Sequence, residues 1–189
     1  MAASAARIEA PHVRPMYLPE GATPPRPEAL AVFLGDAARA RSDVTASAGY
    51  QVRWIGVDRA STHRIFELIR CGDKTGTFTL PWIMERTGQA QPVPGRLLVL
   101  IEMDGTPTLL VRTTSVRLAI FGRVTAEDTA VDGSPVRDPA VWIPLHTRYW
   151  NGLLQPFDLA VSDDMPFWIE AFELVYDAAP PATAAAGPR

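Results

Sequence analysis

Lys74 is the residue whose type and setting most directly suggest chemistry. It is the only lysine among 18 basic residues, and it lies in the segment Gly72-Asp73-Lys74-Thr75-Gly76-Thr77. An arginine stays protonated in a protein, whereas a buried lysine amine can lose its proton. A lysine beside threonine hydroxyls therefore has two interpretations. It is either a base that activates a hydroxyl or a point donor that binds a phosphate.

Two predicted elements place this lysine at the entrance to a strand. The apolar spacing predicts a helix over residues 59–70, and the alternation over 75–80 predicts a half-buried strand on which Thr75, Thr77 and Thr79 share one face. A lysine and a hydroxyl form a nucleophile pair only if the amine is neutral, and a carboxylate is then needed to orient the pair or carry protons. The alternative is that the threonines are ordinary strand residues.

The rest of the pattern predicts an α+β protein. Five further segments have a helical or a strand period. They are a helix over 27–41, strands over 96–103 and 106–114 joined by Asp104-Gly105, a helix that opens at Asp138-Pro139, and a strand over 168–176. This order favours a small, mostly antiparallel β-barrel flanked by helices over a doubly wound sheet.

Composition divides the chain into one domain and two ends. Residues 1–26 and 178–189 are rich in Ala and Pro and lack a hydrophobic period, so we expect a disordered leader and a disordered tail around a domain at 27–177. The chain is 47% hydrophobic and 21% charged, which is typical of a globular protein. No apolar run is long enough to span a bilayer, so we expect a cytoplasmic protein without a membrane partner.

Several common functions are excluded by spacing or charge. Lys74-Thr75 resembles the end of a phosphate-binding Walker A loop, but Asp73 stands directly before the lysine, where that loop requires glycine. The three histidines are far apart in sequence, so neither a metal site nor a cofactor is expected. The net charge of -3 gives no support for binding of duplex DNA.

The lysine segment also carries a family resemblance. Gly72-x-Lys74-x-x-Thr77 resembles the G-x-K-x-x-T motif of the ASCH domain, a PUA-like β-barrel family, and the likeness extends in order over residues 28–177. The other matching segments are Ile55-Gly56-Val57-Asp58, Pro94-Gly95, Asp104-Gly105, Asp132-Gly133, Trp142-x-x-x-His146-x-x-Tyr149-Trp150 and Asp164-Met165-Pro166.

The resemblance implies a cleft at the lysine loop and a fold related to RNA-binding PUA domains. Some small relatives are amidohydrolases that remove an acetyl group from the exocyclic amine of cytidine, and others are reported to act on RNA. By this resemblance Lys74 would be the base, Thr77 the nucleophile and Asp132 the proton carrier. The chain departs from those amidohydrolases at two positions, since Asp132 replaces a glutamate and Thr79 replaces an arginine.

The resemblance makes RNA, a nucleotide or a nucleoside the expected ligand. Aromatic side chains are candidates for base stacking, and arginines for phosphate contacts. The substrate-binding candidates are Thr75, Thr79, Arg53, Trp142, His146, Arg148, Tyr149 and Trp150. Two functions remain open: a hydrolase, acting as an amidohydrolase on acylated cytidine or as a ribonuclease, and a non-catalytic RNA-binding or regulatory module.

Overall fold

The computed structural model describes residues 19–45 and 49–178. Within these ranges five strands form one sheet in the order β1-β3-β4-β5-β2, in which only the β1–β3 pair is parallel. The strands are β1 (Tyr50–Arg53), β2 (Gly76–Thr79), β3 (Leu97–Ile101), β4 (Pro107–Ile120) and β5 (Pro166–Asp177).

Five α-helices accompany the sheet in the described ranges. They are α1 (Pro27–Ala40), α2 (Arg59–Arg70), α3 (Pro81–Thr87), α4 (Ala126–Thr129) and α5 (Pro139–Leu154). Single 3-10 turns follow β4 at Phe121–Arg123 and α5 at Gln155–Phe157. In these ranges no helix combines the length and the apolar character needed to cross a membrane.

The α+β class predicted from the sequence is confirmed. The sheet is mostly antiparallel and flanked by helices, but it does not close, because β1 and β2 remain at opposite ends of the strand order. The term barrel therefore describes its curvature only loosely. The long β4–β5 ladder, paired from Leu109–Asp177 to Ile120–Pro166, contains two register shifts, which are sites of local bending.

The central strand β3 shows why the fold needs helices on both faces. All five of its residues are buried. Leu97, Val99 and Ile101 pack in the cluster that contains α1, whereas Leu98 and Leu100 pack with Phe66 of α2. Because side chains alternate across a strand, a continuous apolar run requires cover on both sides of the sheet.

Helix α5 covers the β2–β5 end of the sheet. Trp142, Trp150 and Leu154 are fully buried there, at the four-residue spacing of one helix face. Leu145 lies three residues after Trp142, yet it is 44% exposed. The helix also continues through Pro144 without interruption.

The structure adds elements that the sequence pattern did not reveal. Strand β1 has only four residues, too few for a recognisable period, and Pro81 both follows β2 and begins α3. Residues 1–18 of the predicted leader and 179–189 of the predicted tail lie outside the described residues. In the remaining part of the leader, the Thr23 amide donates a hydrogen bond to the carbonyl of Met103. The limits of the domain stay a prediction.

Candidate functional site

A cavity of about 950 Å³ lies between the sheet, α2 and α5. Its volume is typical of sites that bind small molecules or cofactors. Most of its walls are apolar. The buried or half-buried polar side chains in its lining include Lys74, Asp132, His146, Thr77, Thr79 and Arg53.

The turn between α2 and β2 buries Lys74. Gly72 adopts a positive φ of 74°, which is favourable for glycine and ends the helix. The amides of Asp73 and Lys74 then both donate to the carbonyl of Leu68, at 2.8 and 2.9 Å. This tight turn leaves Lys74 only 6% exposed and facing the cavity.

A second loop brings Asp132 to the lysine. The Thr75 amide donates to the carbonyl of Val131 at 2.9 Å, and the Ser134 amide donates to Oδ2 of Asp73 at 2.7 Å. These bonds join the two loops on either side of the pair. The Lys74 amine donates to Oδ1 of Asp132 at 2.5 Å, and the Gly133 amide donates to the same oxygen at 2.9 Å. Asp132 is itself buried, so solvent screens the pair weakly.

The predicted nucleophile lies in the same cavity, but it is not bonded to the lysine. Thr77 is half-buried and lines the cavity. Among the described residues, the polar partner of the Lys74 amine is Asp132, and the amine also lies 5.9 Å from the centre of the Phe78 ring. Thr75 is exposed and is outside the described cavity lining.

His146 is a neutral hydrogen-bond acceptor in the cavity wall. Its Nδ1–H donates to the carbonyl of Trp142 at 3.0 Å, and the two rings stack with centres 3.9 Å apart. Burial lowers the pKa of His146 to about 4, although the Asp132 carboxylate and the Trp142 carbonyl act in the opposite direction. Since a carbonyl can only accept, Nδ1 carries the proton and Nε2 is left as the acceptor.

Some of the aromatic candidates line the cavity, whereas Trp142 packs behind its wall. Trp142 is fully buried and stacks behind His146, outside the described cavity lining. Tyr149 and Trp150 do line the cavity, as does Trp54, which the sequence analysis missed. Arg148 also lines it but is exposed, so it lies towards the solvent.

A second buried ion pair was also missed by the sequence analysis. Nη1 of Arg53 donates to Oε1 of Glu170 at 2.8 Å, and the Thr79 hydroxyl donates to the same oxygen at 2.6 Å. Glu170 is fully buried and lies opposite Thr77 in the β2–β5 ladder. One signal for it was present in the sequence, because Glu170 shares its strand face with Trp168 and Phe172.

The polar groups of the cavity are hydrogen-bond donors and acceptors set between apolar walls. In the described ranges, no group of three or more His, Cys, Asp or Glu side chains could hold a metal ion. Asp132 is engaged by an amine and His146 by a carbonyl. The cavity therefore offers an amine, a guanidinium, hydroxyls and one imidazole acceptor between apolar walls.

A family model of the ASCH domain matches residues 53–176, which include the lysine turn, the Asp132 loop and helix α5. The chain belongs to the ASCH domain family. No curated protein matches its sequence.

Two crystal structures resemble this ASCH domain in fold. An ASCH domain from Lactobacillus crispatus aligns with a TM-score of 0.71 and 22% identity, over 79% of this chain and 95% of that one. Protein EF3133 from Enterococcus faecalis aligns with a TM-score of 0.68 and 21% identity, over 79% of this chain and 89% of that one. At these identities the likeness is evidence of fold alone, so the function of this ASCH domain must be argued from its own cavity.

Proposed function

We propose that this ASCH domain binds the base of a nucleoside, a nucleotide or a short single-stranded RNA in the cavity. The observation that carries the proposal is the buried Lys74–Asp132 pair in the wall of a cavity of about 950 Å³ that also contains Thr77. Apolar walls with a few convergent polar groups suit a planar heterocycle. The resemblance to a family related to RNA-binding domains supports the same ligand class.

The exposed arginines at the cavity support a binding mode in which the base lies inside and the sugar–phosphate backbone of the ligand stays outside. Arg64 and Arg148 both line the cavity and are exposed. A phosphate that stays in solvent can reach such arginines without being desolvated. Tyr149 and Trp54 provide aromatic surface deeper in the lining, where a base can stack.

A second candidate function is hydrolysis of an acylated cytidine at the same position. It is favoured by the placement of three groups around one cavity: Lys74, its hydrogen-bond partner Asp132, and Thr77. In this reaction the Lys74 amine first passes a proton to Asp132 and then acts as a base. Attack of the Thr77 hydroxyl on the acyl carbon would pass the hydroxyl proton to Lys74. The C–N bond then breaks as a proton reaches the exocyclic nitrogen, and water hydrolyses the threonyl ester to the carboxylic acid, which restores Thr77.

The non-catalytic alternative also has an observation in its favour. Lys74 donates to Asp132, and no bond joins it to Thr77 in the part of the chain that the structure describes. A lysine that remains in an ion pair is a hydrogen-bond donor and not a base. The cavity would then recognise a base without reacting with it.

The test has two parts. Calorimetric titration measures binding of cytidine, of acetylcytidine that carries its acetyl group on the exocyclic amine, and of short single-stranded RNA. Chromatography then detects any cytidine released from acetylcytidine. Saturable binding is expected for the wild type and for Lys74→Ala. Loss of product in Lys74→Ala with binding retained supports the hydrolase. Binding without product in the wild type supports the module. Absence of binding by a folded wild type would contradict the proposed site.

A further inference from the structure

One edge of the sheet is open along the second half of β4. The ladder between β3 and β4 ends at Arg112, and the last backbone bond on that side joins the Gly95 amide to the carbonyl of Thr113 at 2.8 Å. Strand β5, by contrast, pairs with β4 as far as Ile120. Within the described part of the chain, residues 114–120 therefore have a neighbouring strand on one side only.

The backbone groups that face this open side belong to Val116, Leu118 and Ile120. The Phe172 amide donates to the carbonyl of Thr75, so even-numbered residues of β5 direct their backbone groups at β2 and odd-numbered ones at β4. The ladder places these odd-numbered residues opposite positions 115, 117 and 119 of β4. The positions between them direct N–H and C=O away from β5, where no hydrogen bond joins them to the described residues.

The side chains at this edge are largely apolar. Leu118 is 49% exposed, and no other large hydrophobic residue on a strand of the described structure is so exposed. The charged side chain of the segment, Arg117, is neutralised by an ion pair with Asp128 of α4. An open strand edge with exposed apolar side chains is a template for pairing with another strand.

Both ends of the described chain lie at the far end of β4. The Thr23 amide donates to the carbonyl of Met103 in the β3–β4 hairpin, and the Ala178 amide donates to the carbonyl of Thr108. Thr108 and Val116 are about 26 Å apart along the strand. The eleven residues that follow 178 include three prolines, which lack the N–H that a strand partner donates. These positions favour a strand from another molecule.

The open segment is complementary to itself in the antiparallel direction. When two copies are centred on Leu118, Val116 of one copy faces Ile120 of the other. Residues with outward backbone groups then face each other, which allows about six hydrogen bonds between the strands. Arg117 of one copy faces Ala119 of the other, so no like charges lie directly opposite each other.

The ends of the segment leave room for a second copy. Strand β4 ends at Ile120, and the Phe121 amide then donates to the carbonyl of Met165, on the side of β5. The chain therefore turns away from the open edge. In the register centred on Leu118, this is the place where β3 of the second copy begins, next to its own Thr113.

We propose that two copies of this chain pair antiparallel along residues 114–120, about a two-fold axis at Leu118, and join their sheets into one. Such a dimer uses the same surface patch on both copies. One pair of short strands buries less area than a standard interface, so we expect a dissociation constant on the order of 10–100 μM. This inference is independent of the ligand proposed for the cavity.

The test is sedimentation velocity of the full chain from about 1 to about 500 μM, a range that brackets this dissociation constant. The wild type should change from monomer to dimer. Leu118→Lys and Leu118→Glu should each raise the dissociation constant by about tenfold or more, because like charges then lie directly opposite each other. An equimolar mixture of these two variants should dimerise again, because opposite charges then face each other.

Val32→Lys is the matched control. Val32 is 64% exposed on α1, away from this edge, so the variant should keep the wild-type dissociation constant. Circular dichroism verifies that each variant is folded. A wild type that stays monomeric over the whole range, or a dimer that neither Leu118 variant weakens, would overturn the proposal. A mixture that dimerises no better than its components would overturn the register centred on Leu118.

Discussion

The Lys74–Asp132 pair and the Arg53–Glu170 pair line or support the same cavity, but different parts of the fold hold them. Lys74 and Asp132 lie on two loops joined by backbone hydrogen bonds. Arg53 and Glu170 lie on two strands and meet across the sheet. The first pair therefore depends on contacts between loops, whereas the second depends on how the strands are arranged in the sheet. We infer that the first pair is suited to proton transfer and that the second joins β1 to β5.

Substitution of Lys74 has the largest expected effect on turnover, and it tests whether the loop pair transfers protons. If the cavity hydrolyses an acylated cytidine, Lys74→Met and Lys74→Arg should both lower the turnover by about 1,000-fold, because neither side chain can act as a base. Initial rates with acetylcytidine measure this. Lys74→Arg retains a charge beside Asp132 and is therefore the matched control for folding. Retained turnover in Lys74→Arg would refute a proton-transfer role.

The strand pair is tested by the stability of single and double variants. Arg53→Met or Glu170→Met should each reduce the free energy of unfolding by about 3–5 kcal/mol, because the other charge is left buried and unpaired. The double variant should lose far less than the sum of the two. Urea denaturation measures all three. The exposed Arg39–Asp36 pair provides the control, since Arg39→Ala should cost less than about 1 kcal/mol. Additive losses would show that the buried charges do not act as a pair.

Thr77 on β2 and Thr75, directly before this strand, offer a matched comparison. Thr77→Val removes a hydroxyl in the cavity without changing the side-chain shape, and turnover should fall by about 1,000-fold or more if this hydroxyl is the nucleophile, because a nucleophile and its base act as a unit. Thr75→Val removes an exposed hydroxyl and should leave the rate within about twofold. Steady-state kinetics measures the turnover of both variants, and an equal loss of turnover in the two would exclude Thr77 as the nucleophile.

The low pKa of His146 predicts a smaller effect on stability at acid pH. Since its pKa is about 4 in the fold and ordinarily 6.5, the unfolded chain binds more protons between these values. This contribution is present above pH 6.5 and is lost as the pH falls towards 4, by about 2 kcal/mol between pH 7 and 5. His146→Asn keeps a donor for the Trp142 carbonyl and should flatten the decline. Identical pH profiles of unfolding would contradict a buried neutral imidazole.

The two ion pairs also differ in how far the sequence reveals them. Lys74 is unusual in type, and the loop that carries Asp132 is recognisable by its resemblance to a family segment, so both could be named in advance. Glu170 could be noticed only as an acid that shares a strand face with Trp168 and Phe172, and its contact with Arg53 could not be predicted, because that contact depends on a sheet curvature that brings β1 over β5. A period of two indicates which face a residue occupies but not what faces it.

In helix α5, too, the local signals were recognisable from the sequence but the tertiary contacts were not. Its N-cap Asp138 and first-turn proline were recognisable, because capping is a local property. The buried face was only partly recognisable. Trp142 and His146 are buried, but Leu145, three residues after Trp142, is exposed, because the position of β5 decides which apolar residues find cover.

The most direct test of the proposed site is a crystal structure of the Lys74→Met variant soaked with acetylcytidine. The base should lie in the cavity between α2 and α5, with its acylated nitrogen next to Thr77 and Asp132. An empty cavity with the nucleoside bound on the outer surface would contradict the account.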